Sequence, residues 1–279
     1  MARSVDRCYT RRDMTARKRW PCALTIAGSD SGGGAGIQAD LKTFAALGVH
    51  GTSVVTCLTA QNPRRVTRVA AASPAMVQAQ LEAVLEELHP AAVKTGMLHS
   101  AALIRALLTA WPRRFACPLV VDPVMVSTSG APLLRPDAVR TLTRQWLPRA
   151  TLITPNLDEA ALLLDRPLRN VDALREAARE LHERFGCAVL AKGGHLRGML
   201  SAVDFYYDGR TELLLEAPFV RGVSTHGTGC TYAAAIAGYL ALGHKLPGAV
   251  QRAKEYVTGA IAASVRVGRH TVLGHLWRT

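Results

Sequence analysis

Residues 224–230 read STHGTGC, and the alanine-rich run TYAAAIAGYL follows directly at residues 231–240. Glycine frees the backbone and alanine favours helix, so the stretch predicts a glycine loop that leads into a helix. The first N–H groups of such a helix have no partner within it and lie at the positive end of its dipole. Together with the loop they form a nest for an anion, typically phosphate. We therefore predict a phosphate site at Gly227, Thr228 and Gly229.

Cys230 lies in the first turn of the predicted helix. The field of a helix N-terminus stabilises a thiolate over a thiol, so this position predicts a thiol with a lowered pKa. An alternative interpretation makes the stretch a plain glycine loop before a buried helix, with Cys230 as a small core side chain. Short glycine motifs match by chance, so the stretch taken alone favours this alternative. The rest of the chain decides between the two.

The composition indicates an α/β protein. The chain has 279 residues, of which 49% are apolar and 5% are aromatic. The abundant alanine, leucine and valine suit helices packed on a parallel sheet. Strand-like and helix-like segments alternate after residue 20 with short connections between them. We therefore predict a single α/β domain over residues 21–279.

The formal net charge of +13 raises the question of a nucleic-acid partner. Residues 1–20 carry seven Arg or Lys against two Asp, so this segment alone contributes +5. The other arginines are scattered over amphipathic helices, without interleaved aromatic residues or a nucleic-acid-binding motif. We predict a solvated arginine-rich surface and no nucleic-acid partner, and we interpret residues 1–20 as a disordered basic extension.

The six cysteines lie far apart, and no two of them form a C-x-x-C pair. This spacing matches neither a metal site nor a disulfide scaffold, so a reducing cytoplasm is the simplest compartment. Charges, glycines or prolines interrupt every apolar stretch before it reaches a membrane-spanning length. The sequence therefore predicts a cytoplasmic protein with no membrane partner.

The first strand candidate, residues 23–27, runs into the glycine-rich loop GSDSGGGAG at residues 28–36 and then into a helix over residues 37–47. This order places a binding loop at the carboxyl end of a parallel strand. The loop matches neither the dinucleotide nor the Walker pattern, so we interpret it as a polar cradle of another kind. Asp40 lies just inside the helix, where a solvent-facing acid is the simpler interpretation.

Further polar residues follow apolar strand candidates. Gln61 lies where a strand over residues 52–58 predicts a turn; its amide can pair with a heteroaromatic ring or serve as an ordinary turn residue. Asp122 follows three apolar residues, at a usual place for a metal or substrate ligand. Lys192 ends an apolar strand beside two glycines, a placement suited to the charge of a phosphate.

Asn156 and Glu159 open a predicted helix after a short strand. An Asn followed three residues later by a Glu fits a capping box, in which each side chain bonds the other residue's backbone N–H. That interpretation needs no ligand and fits the spacing well.

Seven motifs occur in order along the chain: LTIAGSD (24–30), GGAGIQAD (33–40), AQN (60–62), VDPVM (121–125), TPNLDE (154–159), KGGH (192–195) and HGTGC (226–230). Together they closely resemble hydroxymethylpyrimidine/phosphomethylpyrimidine kinase, the thiamine-pathway branch of the ribokinase-like superfamily. The resemblance extends from about residue 22 to about residue 267, which argues against a chance match.

The resemblance implies a ribokinase-like three-layer sandwich, in which helices flank a central, mostly parallel sheet, and it implies a homodimer. It also implies two successive ATP-dependent phosphorylations. The first acts on the alcohol 4-amino-5-hydroxymethyl-2-methylpyrimidine, and the second converts the resulting monophosphate to the diphosphate. The implied cofactors are ATP and Mg²⁺, and the implied partner is the aminopyrimidine.

The same resemblance implies a role for individual residues. The aminopyrimidine is expected to contact Gly28, Asp40, Gln61, Met97 and Val124. The nucleotide phosphates are expected to contact Lys192, Thr225, Gly227 and Gly229. The metal is expected near Asn156, Glu159 and Asp122. Cys230 is expected to orient or deprotonate the hydroxymethyl group, and the other expected catalytic residues are Gly227, Thr228, Gly229 and Lys192.

Two positions depart from the family pattern. Ser31-Gly32 stands where the first loop often carries Pro or Ser, and Thr128 stands where many relatives have Lys, so no lysine contact to ATP is expected there. Two other functions stay open. Pyridoxal presents a hydroxymethyl group on a heteroaromatic ring to the same fold, and a ligand sensor or nucleic-acid binder would keep the fold without catalysis.

Overall fold

A nine-stranded sheet runs through the computed structural model, which describes residues 20–112, 115–125, 134–194, 196 and 199–278. The strand order across the sheet is β3-β2-β1-β4-β5-β6-β7-β8-β9. Its strands are β1 (Cys22–Asp30), β2 (His50–Asn62), β3 (Arg65–Ala71), β4 (Ala92–Thr95), β5 (Leu119–Val121), β6 (Leu152–Ile153), β7 (Ala188–Lys192), β8 (Ser201–Tyr207) and β9 (Glu212–Pro218). A separate antiparallel pair is formed by β10 (Val265–Val267) and β11 (His270–Val272).

Helices cover both faces of the sheet. They are α1 (Gly36–Ala46), α2 (Pro74–Glu87), α3 (Ala101–Ala110), α4 (Pro136–Thr141), α5 (Leu157–Leu164), α6 (Val171–Phe185), α7 (Thr228–Ala241) and α8 (Leu246–Ala262). Two apolar cores result: α1, α7 and α8 share one with the sheet, and α2 to α6 share the other. In the part of the chain that the structure describes, no helix has the length and apolar character needed to cross a membrane.

The strands explain this layering. In β5 the side chains of Leu119 and Val121 enter one core and Val120 enters the other, because successive residues of a strand point to opposite faces. The neighbouring strands β2, β1, β4, β5, β6 and β7 are parallel, whereas β3, β8 and β9 pair antiparallel. A strand buried on both faces is therefore mostly apolar, as is typical of parallel sheets. The predicted mostly parallel α/β sheet is confirmed.

Two parts of the fold differ from the prediction. The turn predicted to follow residues 59–63 lies at Pro63 and Arg64, but the predicted end of the strand at residue 58 is wrong, because β2 continues to Asn62 and pairs with β3, which the sequence did not predict. Paired residues such as Ala60 and Arg68 carry the hairpin past the edge of the cores, where side chains of both strands face solvent. The β10–β11 hairpin was also not predicted. The basic extension over residues 1–19 and the Thr128 position lie outside the described residues.

The C-terminal segment packs against the first turns of α7. The Nε2 atom of the buried His275 lies 3.0 Å from the Thr231 hydroxyl, and its carbonyl accepts a hydrogen bond from Tyr256. Burial first, and then the nearby charge of Lys42, lower the pKa of His275 to about 4. The imidazole is therefore neutral in the folded protein at neutral pH.

We expect acid to weaken the folded state through His275. The unfolded chain binds a proton near pH 6.5 and the folded chain only near pH 4, so the free energy of unfolding falls as the pH drops between these values. The loss is on the order of 2–3 kcal/mol. Urea titrations of the wild type and of His275→Gln at several pH values measure it. An equal pH dependence in both proteins would show that His275 is not responsible.

Candidate active site

The carboxyl ends of the parallel strands bring the predicted charged residues to one edge of the sheet. Asp122 follows β5, and Lys192 ends β7 two strands away. The Lys192 Nζ atom lies 2.8 Å from Asp122 Oδ1, which also accepts a hydrogen bond from the Thr154 hydroxyl at 3.0 Å. Burial alone would raise the pKa of Asp122, but the charges of Lys192 and Lys94 hold it below its usual range. The pair is therefore ionised.

The N-terminus of α7 opens beside this pair. A Cβ atom built on Gly229 would lie 3.4 Å from Lys192 Nζ and 3.7 Å from Asp122 Oδ2. No side chain caps the helix at Gly227, and the buried Thr228 hydroxyl has no hydrogen-bond partner among the described residues. Unpartnered donors at a helix N-terminus next to an ammonium group suit a phosphate. The structure thus brings Lys192 together with the predicted anion nest.

Only glycine fits at position 227. Its φ of +83° is in the left-handed region, and a Cβ atom there would overlap the carbonyl oxygen of Gly34. The first glycine loop therefore contacts the anion nest directly. Thr225, which is exposed, accepts the Thr228 N–H through its carbonyl oxygen at 3.2 Å and so shapes the same turn.

The first glycine loop closes around Asp30. The Asp30 carboxylate accepts the N–H groups of Gly32, Gly34 and Ala35 at 2.8, 3.1 and 2.9 Å, and His226 Nε2 lies 3.4 Å from it. Burial would raise the pKa of Asp30, but these hydrogen bonds, that of His226 first, lower it. The loop was predicted to be a polar cradle, which would offer its N–H groups to a ligand. That prediction is wrong for these three N–H groups, because they are bonded to Asp30. The loop instead forms a wall of the site.

Asp40 is fully buried, so its interpretation as a solvent-facing acid is wrong. Its Oδ2 atom accepts hydrogen bonds from the Thr25 hydroxyl at 2.6 Å and from Lys94 at 2.7 Å, while its Oδ1 atom has no partner among the described residues. Burial would lower the pKa of Lys94, but the nearby acidic groups, Asp40 first, raise it above its usual value. Burial also raises the pKa of Asp40. The 2.7 Å contact with a lysine favours the ionised carboxylate.

Lys94 was not predicted as a site residue. A lysine in the middle of the apolar stretch AAVKTGM at residues 91–97 was the available signal, because a lysine on a doubly covered strand needs a buried partner. The partner lies 54 residues away in sequence, on α1. Because the two residues are so far apart in the sequence, the sequence alone does not show that they pair.

Cys230 stands in the first turn of α7, with Lys94, Asp40 and Asp122 close enough to shift its ionisation. Burial raises the pKa of its thiol to about 11; Lys94 opposes the shift, and Asp40 and Asp122 add to it. The predicted lowered pKa is therefore wrong for the unliganded protein, because desolvation and two carboxylates outweigh the helix N-terminus and Lys94. The thiol itself is half-buried and faces the site.

The residues predicted to hold the pyrimidine lie around the ends of β1, β2 and β4. A Cβ atom on Gly28 would lie 2.8 Å from the Cys57 sulfur and 3.0 Å from the Met97 methyl carbon, so only glycine leaves this space open. Met97 and Val124 are half-buried. Gln61 is half-buried too, on β2, and its Oε1 atom accepts a hydrogen bond from Thr59 at 3.2 Å. These roles stay predictions.

The structure confirms the capping box of α5. Asn156 Oδ1 accepts the Glu159 N–H and Glu159 Oε2 accepts the Asn156 N–H, both at 2.9 Å. The interpretation of these two residues as a helix cap is therefore confirmed. The pKa of Glu159 is raised to about 8, by burial first and by the charge of Asp122, against the opposing charge of Lys192. Among the described residues, no three His, Cys, Asp or Glu side chains gather as a metal site. The metal roles of Asn156, Glu159 and Asp122 stay predictions.

Comparisons with known proteins agree with this geometry. A family model described as phosphomethylpyrimidine kinase matches residues 30–275. The chain is 52% identical over 246 residues to the hydroxymethylpyrimidine/phosphomethylpyrimidine kinase of Rhizobium meliloti, covering 88% of this chain and 92% of the relative.

Two solved structures share the fold. Phosphomethylpyrimidine kinase from Clostridium difficile 630 superposes with a TM-score of 0.77 at 41% identity, covering 86% of this chain and 99% of the other. An ADP complex of Bacillus subtilis pyridoxal kinase superposes with a TM-score of 0.83 at 37% identity, covering 92% and 98%. These neighbours confirm the ribokinase-like fold. With the family model matching most of its length, the chain belongs to the phosphomethylpyrimidine kinase family.

Proposed function

We propose that this enzyme transfers the γ-phosphoryl group of ATP to 4-amino-5-hydroxymethyl-2-methylpyrimidine, and then a second one to the monophosphate formed. The observation that carries this proposal is the ionised Lys192–Asp122 pair at the open N-terminus of α7, with Cys230 in the first turn of the same helix. Phosphoryl transfer depends on charge compensation and alignment more than on covalent chemistry by the protein. This arrangement supplies both.

The nucleotide phosphates fit the cluster at α7. Lys192 and the N–H group of Gly229 would compensate the charge of the transferring group, and the unpartnered Thr228 hydroxyl can donate one more hydrogen bond. Thr225 lies at the turn before them. Such donors accelerate transfer because they point to the place where negative charge develops and need no rearrangement during the reaction.

Magnesium fits the neighbouring carboxylates. Mg²⁺ is typically held by one or two carboxylates together with phosphate oxygens and water. Asp122 Oδ2 lies beside Gly229, and the charge of Asp122 raises the pKa of the buried Glu159, so the two acids adjoin the phosphate site. Asp122 and Glu159 would hold the ion, which would neutralise phosphate charge, and Asn156 would keep Glu159 in place through the capping box.

The pyrimidine would lie over Gly28, between Met97 and Val124. This places the ring near the buried Asp40, whose unpartnered Oδ1 atom can accept a hydrogen bond from the amino group. Gln61 would pair with a ring nitrogen from the β2–β3 hairpin. Cys230 would contact the hydroxymethyl group and orient it towards the phosphate, and the fraction of Cys230 present as thiolate would accept its proton.

A homodimer is proposed with the same function. Leu58, Val66 and Val69 of the β2–β3 hairpin are 60%, 46% and 47% exposed at one edge of the sheet. Exposed apolar side chains on a hairpin at the edge of a sheet suit contact with a second copy of the chain. Light scattering of the purified protein measures the assembly.

Pyridoxal is the second candidate substrate. The specific observation in its favour is the close superposition on Bacillus subtilis pyridoxal kinase, with a TM-score of 0.83. Both substrates present a hydroxymethyl group on a heteroaromatic ring. The ratio of their kcat/KM values decides between them, and we expect it to favour the pyrimidine.

A kinase assay tests the proposed function. The purified protein is incubated with the hydroxymethylpyrimidine, ATP and Mg²⁺, and phosphorus NMR follows the products. We expect the monophosphate first and the diphosphate next, with both steps stopped by a chelator of divalent cations. If the phosphoryl group is transferred to pyridoxal but not to the pyrimidine, pyridoxal is the substrate. If the pyrimidine binds but is not phosphorylated, the protein is a ligand sensor.

Gln61→Ala tests the pyrimidine site. Removal of the amide leaves a buried polar atom of the ring without its partner, at a cost of about 1–3 kcal/mol. Titration calorimetry should therefore show weaker binding of both the alcohol and its monophosphate, with the affinity for ATP unchanged. Arg68→Ala, at an exposed position of the paired strand β3, is the control. Unchanged pyrimidine affinity in Gln61→Ala would leave Gln61 as a structural residue of the hairpin.

A further inference from the structure

A buried ion pair lies behind the proposed nucleotide site. Lys254 of α8 donates to Asp204 Oδ2 of β8 at 2.7 Å, and the two side chains are 10% and 5% exposed. Lys254 also donates to the Ala202 carbonyl oxygen at 3.0 Å. Breaking such a pair on one side is costly, because it leaves an uncompensated buried charge. Neither residue of the pair is among those assigned above to the substrates.

The second oxygen of Asp204 reaches the strand that carries Lys192. Asp204 lies directly opposite Lys192 in the antiparallel β7–β8 ladder, and its Oδ1 atom accepts the N–H of Gly193 at 3.0 Å. Gly193 is the first residue beyond β7, where the ladder ends and its N–H needs another acceptor. The Asp204 side chain therefore continues the ladder by one hydrogen bond.

The surroundings of Gly193 leave no room for a side chain. A Cβ atom there would lie 2.5 Å from the Val203 carbonyl oxygen and 2.7 Å from a methyl carbon of Leu174. Its own carbonyl oxygen accepts the N–H of Leu196 at 2.9 Å, so the turn after β7 starts from this fixed residue. The position of Gly193 thus determines how the chain leaves Lys192.

The ion pair also lies close to α7. The buried Tyr232 hydroxyl is near the Asp204 carboxylate, and burial together with that charge raises its pKa. Tyr232 follows Cys230 by two residues on the same helix. One carboxylate therefore adjoins both elements of the proposed phosphate site, the end of β7 and the first turns of α7.

We propose that Asp204 is a positioning residue for phosphoryl transfer: through the Gly193 N–H it holds the end of β7 so that the Lys192 ammonium group points to the N-terminus of α7. Lys254 keeps the carboxylate in the orientation that this bond requires. This inference rests on the proposed function of Lys192 at the nucleotide phosphates. Displacement of a positioned group by about 1 Å is enough to reduce transfer strongly.

Two double variants separate positioning from simple stabilisation. Asp204→Asn/Lys254→Met removes both charges and keeps an oxygen that can accept the Gly193 N–H. Asp204→Leu/Lys254→Met removes the same charges and leaves that N–H without an acceptor. Single variants are avoided because each leaves one buried charge unpaired. The melting temperature of each protein reports folding, and both variants are measured well below it.

The measurements are ADP affinity by calorimetry, steady-state kinetics, and hydrogen exchange in peptides that cover Gly193. We expect the leucine variant to bind ADP at least about fivefold more weakly than the asparagine variant, since the end of β7 no longer holds the Lys192 ammonium group towards the N-terminus of α7. Its exchange at Gly193 should be faster and its KM for ATP higher, at an equal KM for the pyrimidine.

Equal ADP affinity and equal exchange in the two variants would overturn the inference, whatever their kinase activity. A rise of both KM values by the same factor would also overturn it, because a general loosening of the fold affects both substrates. ADP affinity and exchange do not depend on the identity of the phosphate acceptor. A wild type that binds ADP but transfers nothing to the pyrimidine would therefore refute the proposed function and leave this test valid.

Discussion

Replacing Lys192 by alanine is expected to lower kcat by about 10²- to 10³-fold, the usual loss when one preorganised donor to a developing charge is removed. The ammonium group stands beside the open N-terminus of α7, where it would compensate the charge of the transferring phosphate. Because this charge is greatest in the transition state, turnover should suffer more than pyrimidine affinity. Steady-state kinetics measure the turnover, and titrations with the pyrimidine measure its affinity.

The same substitution removes the partner of Asp122, so a control for folding is needed. An unpaired buried carboxylate destabilises the fold, and thermal melting shows by how much. Lys192→Arg keeps a positive charge there and should recover part of the lost turnover. Arg179→Ala breaks an exposed 2.6 Å ion pair with Glu212 on the surface. This control should change neither turnover nor the melting temperature. Normal turnover in Lys192→Ala would remove this residue from the phosphate site.

The sequence predicted most of the sheet and the edge where Asp122 and Lys192 come together. Asp122 and Lys192 each follow a short apolar run, and parallel strands with short connections bring their carboxyl ends to one edge. The glycine pattern before α7 was equally informative, since Gly227 adopts a φ that favours glycine. These features were predictable because each depends on residues adjacent in sequence.

The features that the sequence did not predict depend on residues far apart in it. Asp40 looked like a first-turn acid, and only the fold places Lys94 against it, 54 residues later. The Asp204–Lys254 pair spans 50 residues in the same way. Residues 59–62 looked like the approach to a turn because Asn62 and Pro63 favour turns, and only the pairing with β3 shows that β2 continues to Asn62. Local patterns do not carry such information.

The Cys230 thiol shows that a correct argument from neighbouring residues can still predict the wrong direction for a pKa shift. The helix N-terminus and Lys94 both lower its pKa, as the motif suggests. Burial, Asp40 and Asp122 act in the opposite direction and prevail, so the thiol pKa is raised to about 11. The balance depends on carboxylates contributed by α1 and by the end of β5, which the motif does not contain.

Cys230→Ser is expected to lower turnover of both pyrimidine substrates by about 10²-fold or more, within the range of about 10²–10⁴ for loss of a positioned acid–base group. A serine hydroxyl ionises far less readily than a thiol and cannot accept the proton of the hydroxymethyl group comparably. The anion nest consists mostly of backbone, so ATP and pyrimidine binding should persist. Cys187→Ser is the matched control, a buried thiol whose pKa is raised to about 12 on the far end of β7.

The pH dependence distinguishes a base from a packing residue. If the Cys230 thiolate is the active form, kcat/KM of the wild type should rise as the pH increases towards 11, because the thiolate fraction rises with it. The serine variant has no such group, so the ratio of wild-type to variant activity should grow with pH while ionisations common to both cancel. A constant ratio would mean that the thiol only fills space or orients the alcohol. Near-normal turnover in Cys230→Ser would remove Cys230 from the mechanism, and charge compensation at α7 would then be the whole contribution of the motif.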